Sequence, residues 1–140
     1  MAKIMDVHSK VLVHRFLAAK ARTATETSTA FDRLAAGKAV SGRAILVLDM
    51  GEFTTGTCLV SLEHCATSGG GYVPLLDKTG AAVAFTAKGA TGVFTMPVEL
   101  ELAERYIKAV ATGASTPVYT NSVYLIAPAS DAEPITNPAA

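Results

Sequence analysis

The stretch ELELAERYIKAVATGA, residues 99 to 114, decides the fold class of this chain. Glu, Leu, Ala, Arg and Lys all favour helix, and Gly113 stands where a helix would be capped. Leu100, Ala103, Ile107, Val110 and Ala111 recur at spacings of three and four, which makes a helical stripe. Leu102 and Tyr106 fall partly off it, and the preceding residues alternate straight into ELEL. In VFTMPVELEL, 93 to 102, Met96, Val98, Leu100 and Leu102 share one strand face. Tertiary context commonly overrides helix propensity. The neighbours therefore predict two strands, one through Leu102 and one over RYIKAVAT. The corner at Ala103 and Glu104 has room for a helical turn.

The flanking segments point the same way. RAILVLDM, 43 to 50, reads as a strand buried on both faces or nearly so. GEFTTG breaks it with a turn. TCLVSLEHC, 57 to 65, alternates, with Cys58, Val60 and Leu62 on one face. ATSGGG is a flexible loop, and Pro74 in YVPLLD suggests a sheet edge. AAVAFTA, 81 to 87, is a strand, and TPVYTNSVYLIA, 116 to 127, closes the domain. Turn signals recur at about 8 to 12 residues, the mark of a sandwich or barrel. The reading is an all-β antiparallel sandwich over residues 24 to 128, with an N-terminal arm over 1 to 23 and a C-terminal tail over 129 to 140.

The totals suit one such domain. The chain has 140 residues, half of them apolar, with five Phe, four Tyr and no Trp. The core must then be built from Val, Leu, Ile and Ala, and a chain of this length buries enough surface to fold without staples. The net charge is zero, which argues against a dedicated nucleic-acid binder. The charge is unevenly spread: residues 1 to 43 carry +5 and the remainder −5. This is either a solvated surface with chance asymmetry or a basic arm that docks on an acidic surface of a neighbour or partner. The second reading has Arg15, Lys20 and Arg22 of one subunit meeting acidic residues of a neighbour. His14 and Arg15 interrupt VLVHRFLAA, and AILVL is too short to span a bilayer, so no membrane partner is expected.

Chemical motifs are sparse. Cys58 and Cys65 point to opposite faces of one extended segment, so two buried, reduced thiols are expected rather than a bridge. His64 with those cysteines lacks the paired spacing of a closed zinc site. SGGG lacks the Lys-Ser/Thr and helix of a phosphate loop, and no nucleophile elbow is present. Glu99 and Glu101 lie about 7 Å apart on one strand face, which raises a glycosidase pair and more simply gives a solvated face or a surface for basic arms. Arg105-Tyr106 is either an interface anchor or a strand opening in which Arg105 pairs Glu101 or Glu104. No catalytic residue, metal ligand or cofactor is assigned.

Several of these segments, in this order, resemble one family. AILVLDM, then TCLVSLEHCATSGGGYVPLL, then MPVELELAERYIKAVATGAST with its Arg105-Tyr106 pair, then PVYTNSVYLIA resemble the small jelly-roll cement (decoration) proteins of tailed bacteriophages. The resemblance covers residues 24 to 128 and rests on pattern more than on invariant motifs. This chain differs in its longer, more basic N-terminal arm and in its acidic, proline-containing tail. The resemblance implies a non-enzymatic virion protein, assembled in the host bacterial cytoplasm. It would form dimers or trimers, bind the major capsid protein on the outer surface of the shell, and stabilise that shell. Its expected interface residues are Lys10, Arg15, Phe16, Lys20, Arg22, Glu99, Glu101, Arg105 and Tyr106. A tail or head-completion protein, or a glycan- or receptor-binding jelly-roll module, is the alternative. The absence of Trp weighs against a glycan platform.

Overall fold

The structure, a computed structural model, describes residues 11–35, 40 and 42–128. Its strands are β1 (Val11–Arg22), β2 (Glu26–Thr27), β3 (Phe31–Asp32), β4 (Arg43–Cys65), β5 (Val73–Pro74), β6 (Gly92–Glu99) and β7 (Tyr106–Pro128). They form one seven-stranded sheet in which every pairing is antiparallel. β4 and β7 each run 23 residues and pair with one another from Ile45↔Ile126 to Cys65↔Tyr106. Between Met50 and Thr57 their register shifts three times. Strands that bend through such bulges can pass from one layer of a sandwich to the other.

Two layers result. The first is ordered β6-β4-β7-β1 and uses the first half of β4 and the second half of β7. The second uses their other halves, flanked by β5 on one side and by β2 and β3 on the other. Inward positions alternate along both long strands. On β4 they are Ala44, Leu46, Leu48 and Met50, then Cys58, Val60 and Leu62. On β7 they are Ile107, Ala109 and Ala111, then Tyr119, Val123, Leu125 and Ala127. All belong to one buried cluster, so the two layers share a core. Asn121 of the first layer donates to the Cys58 sulfur of the second at 3.4 Å.

The corner has a specific cause. Thr55 pairs with Val118 and Thr57 with Ala114, so Gly56 alone faces Ser115, Thr116 and Pro117. Gly56 has φ +86°, and a Cβ there would stand 2.5 Å from the Pro117 Cα. Ser115 and Thr116 hold φ of 60° and 56°, a conformation that costs a non-glycine residue about 1 kcal/mol or more. GEFTTG, read as a turn, is instead the bend of a continuous strand, and TGAST is the bend of its partner.

The stretch 99 to 114 is no helix but the junction between two strands. β6 ends at Glu99, a 3-10 turn spans Leu100–Leu102, and β7 starts at Tyr106. The helical turn ends the strand alternation early: Leu100 is buried and Leu102 is exposed. The segment 81 to 87 is less regular than a strand. It follows β4 through isolated bridges at Ala84 and Lys88, with Val83 and Phe85 buried.

The arm reading needs correction over residues 11 to 22. They form β1, paired with β7 from Val11↔Pro128 to Arg22↔Tyr119. Register shifts between Arg15 and Leu17, and between Leu17 and Lys20, put the consecutive Phe16 and Leu17 into the core. Those bulges produce the mixed spacing that disguised the strand. Lys10 and the tail 129 to 140 lie outside the described residues.

Candidate interaction surface

The outer face of the first layer is apolar. Side chains alternate along a strand, so the partners of the buried positions point outward. One outward row crosses all four strands as Pro97, Ile45, Ile126 and Val13. The next is Thr95, Val47, Tyr124 and Arg15, and the third begins Val93, Asp49, Ser122. Val93 is 65% exposed, Val13 62% and Ile45 44%. Val47 is buried although it lies outside the core cluster. RAILVLDM, expected to be buried on both faces or nearly so, is buried on its inward face, while outward Arg43 and Ile45 are exposed and only Val47 is covered. The reading of sites nonetheless passed over Ile45, Asp49, Val93, Pro97 and Ile126, which make this surface.

The residues predicted from sequence fall into separate places. Arg15 lies exposed on the apolar face. Phe16 is buried, edge-on to His14 and to Phe31, while His14 stacks on Phe31 at 4.1 Å. Burial pushes the His14 imidazole below its ordinary value. Arg22 has only 2% of its side chain exposed. Its guanidinium donates to Asn121 Oδ1 at 2.8 Å, to the Ala18 carbonyl at 2.6 Å, and to the Glu26 carboxylate. Lys20 reaches the same carboxylate at 3.9 Å. The expectation that Arg22 meets a neighbour's acid therefore gives way to an internal network, because burial leaves it no outward reach.

At the other end of the molecule, Arg105 forms a two-pronged pair with Asp32, both bonds 2.8 Å, rather than pairing with Glu101 or Glu104. Those bonds hold the Asp32 carboxyl below its ordinary value and raise Arg105. The Arg105 guanidinium lies 5.3 Å from the centre of the Tyr106 ring. Glu99 accepts from Arg43 at 2.8 and 3.2 Å, which lowers its pKa. Glu101 sits in the 3-10 turn, not on a shared strand face with Glu99; with Glu99, Lys78 and Leu102 it lines a shallow depression of about 200 Å³.

The remaining chemistry is structural in form. His64 Nδ1 accepts the Glu104 backbone N–H at 2.9 Å. Cys58 is buried, Cys65 half-buried, and both are free. The Tyr119 hydroxyl is buried beside Cys58 without a hydrogen-bond partner among the described residues, and burial raises its pKa. Among those residues, no group of three or more His, Cys, Asp and Glu is placed to hold a metal ion.

No protein-family model matches this sequence, and no curated protein is similar to it. Solved structures do resemble the fold. PBSX exported protein XepA superposes with a TM-score of 0.58 at 14% identity, over 86% of this chain. That match spans 38% of the XepA chain. A Bacillus endospore appendage protein, from a family of disulfide-linked pili, gives a TM-score of 0.49 at 13% identity, over 86% of this chain and 88% of its own. The SPBc2 prophage-derived protein YomS gives 0.49 at 11%, over 85% and 93%. At such identities the likeness is one of fold: an all-β antiparallel sandwich, here with one apolar outer face.

Proposed function

We propose that this chain is a non-enzymatic structural subunit of a tailed-phage particle. In this reading it binds the major capsid protein on the outer surface of the shell and stabilises the shell. The observation that carries the reading is the apolar outer face of β6, β4, β7 and β1. A sandwich needs one apolar face per layer, and a second one serves association. The sequence resemblance to phage cement proteins supplies the shell as partner. Repetition over a closed shell lets modest contacts act together.

A glycan-binding module is less well supported. Such sites use open aromatic faces, and here Lys108 Nζ lies 4.2 Å over the Tyr72 ring while Arg105 covers Tyr106. The experiment is co-sedimentation with expanded phage heads that lack the protein. Full-length chain, a form starting at residue 11, and Val93→Lys should be compared. A cut after residue 22 would remove a core strand and is uninformative. Saturable binding at a fixed ratio to the shell subunit, weakened by Val93→Lys, supports the reading. Binding to tails but not heads would move the protein to the tail.

A further inference from the structure

We propose that the apolar face of the first layer is the contact between two copies of this chain, related by a two-fold axis. The proposal rests on the proposed function's reading that this face serves association and names a second copy, not the shell, as what covers it. The shell is then met by two joined subunits, whose contacts act together. The reason is that the face is complementary to itself. Besides the Arg43–Glu99 pair at its end, which is satisfied internally, it carries two opposite charges, Arg15 on β1 and Asp49 on β4, and neither forms an ion pair among the described residues. They stand two strands and one two-residue step apart, about 12 Å by ordinary strand spacing and rise.

In a two-fold contact, residue i of one copy meets residue j of the other, and j meets i. An axis lying in the interface and passing over β7 between Tyr124 and Ser122 sets each Arg15 against the other copy's Asp49. That choice leaves no freedom for the rest of the face, so the other residues test it. On a flat lattice with strands ~4.8 Å apart and ~6.7 Å per two residues, the same axis carries Val13 to within about 3 Å of the other copy's Val93. These are the two most exposed large apolar residues of the sheet. The axis also runs over Ile45 and Tyr124, which then pack near their own copies. One symmetry operation thus pairs both charges and covers both exposed valines.

The alternative route to self-assembly, pairing of sheet edges, is blunted. β6 carries Pro97, which lacks an N–H, and β1 is broken by two register shifts. The face is four strands wide and three rows long, a footprint of about 400 Å² by those spacings. That is about half of what a stable standard interface buries per partner, so the dimer is weak in dilute solution. It strengthens where copies are held close together.

Sedimentation velocity on the purified full chain, from ~1 to ~300 µM, tests the proposal in the range where weak contacts are read. The wild type should shift from monomer to dimer mass. Val13→Lys, Arg15→Asp and Asp49→Arg should each raise the midpoint by at least ~10-fold, and the double reversal Arg15→Asp with Asp49→Arg should recover most of it. Val13 is so exposed that Val13→Lys keeps the fold, which a thermal melt confirms. A wild type that stays monomeric throughout overturns the proposal. So does a dimer indifferent to Val13→Lys, or a double reversal without recovery. Head binding by a strictly monomeric protein would overturn this dimer alone and leave the proposed function standing.

Discussion

The two layers are made from the same two long strands, yet they meet their surroundings differently. In the first, the outward positions of β4 and β7 include Ile45, Val47, Tyr124 and Ile126. In the second each outward pair contains a polar residue: Leu59 faces Thr112, Ser61 faces Val110, and Glu63 faces Lys108. Both layers bury the same kind of inward residue in one core. The inward set therefore defines the fold, while the outward set records what each layer faces. Polar cross-strand pairs suit water. An apolar outward row is left wanting a cover.

The largest effects should appear where the layers are alike. Leu46→Ala in the first layer and Ile107→Ala in the second each remove a fully buried side chain, and each should cost about 2–5 kcal/mol in chemical denaturation. Both variants should unfold in a single transition, because the core is shared. Two separate transitions would break the account of one core.

Next comes the corner that makes two layers from one sheet. Gly56→Ala should cost about 2–4 kcal/mol, since a methyl group there meets backbone at 2.5 Å as well as a positive φ. Gly80, also at positive φ but with nothing within 4 Å, should cost only about 1 kcal/mol as Ala. Equal losses at the two glycines would mean that the corner is not sterically required.

Acid should act on the two layers in different pH windows. The folded chain holds His14 below its ordinary 6.5, so below that pH the unfolded chain takes up a proton that the folded one resists. Stability should fall as pH drops from 6.5, and His14→Gln should flatten that slope. Asp32 is held below its ordinary 3.8 by Arg105. Its contribution is present above that pH and is lost only as pH falls further, so Asp32→Asn should lower stability evenly above that window and remove the slope within it. Denaturation midpoints measured from pH 3 to 8 (a window set by these ordinary values) would separate the two.

The smallest effect on folding belongs to the outward face itself. Val93→Thr should change monomer stability by less than about 0.5 kcal/mol, because Val93 is mostly in solvent. The same change should weaken association measurably. A large loss of monomer stability would show that the face belongs to the fold rather than to a partner.

Much of this architecture is legible along the chain. Alternation in 57 to 65 and in 93 to 99, and the continuous apolar run at 44 to 48, are local signals. They specify strands, because side-chain direction has period two. What joins or separates those strands is not local. Whether GEFTTG is a turn or a bend depends on whether a partner strand can bulge opposite Gly56, and that partner, Ser115 to Pro117, lies some sixty residues away. β1 was hidden for the same reason: its bulges make sense only against β7. Arg105 chose Asp32, 73 residues distant, over the nearby Glu101 and Glu104, because β3 pairs beside the start of β7. The sequence by itself determined an all-β chain and which residues of 57 to 65 share a face, since both follow from periodicity. Only the tertiary structure decided which strands are continuous, which charges are already satisfied, and which apolar residues gather on one uncovered face, since each depends on register between distant segments.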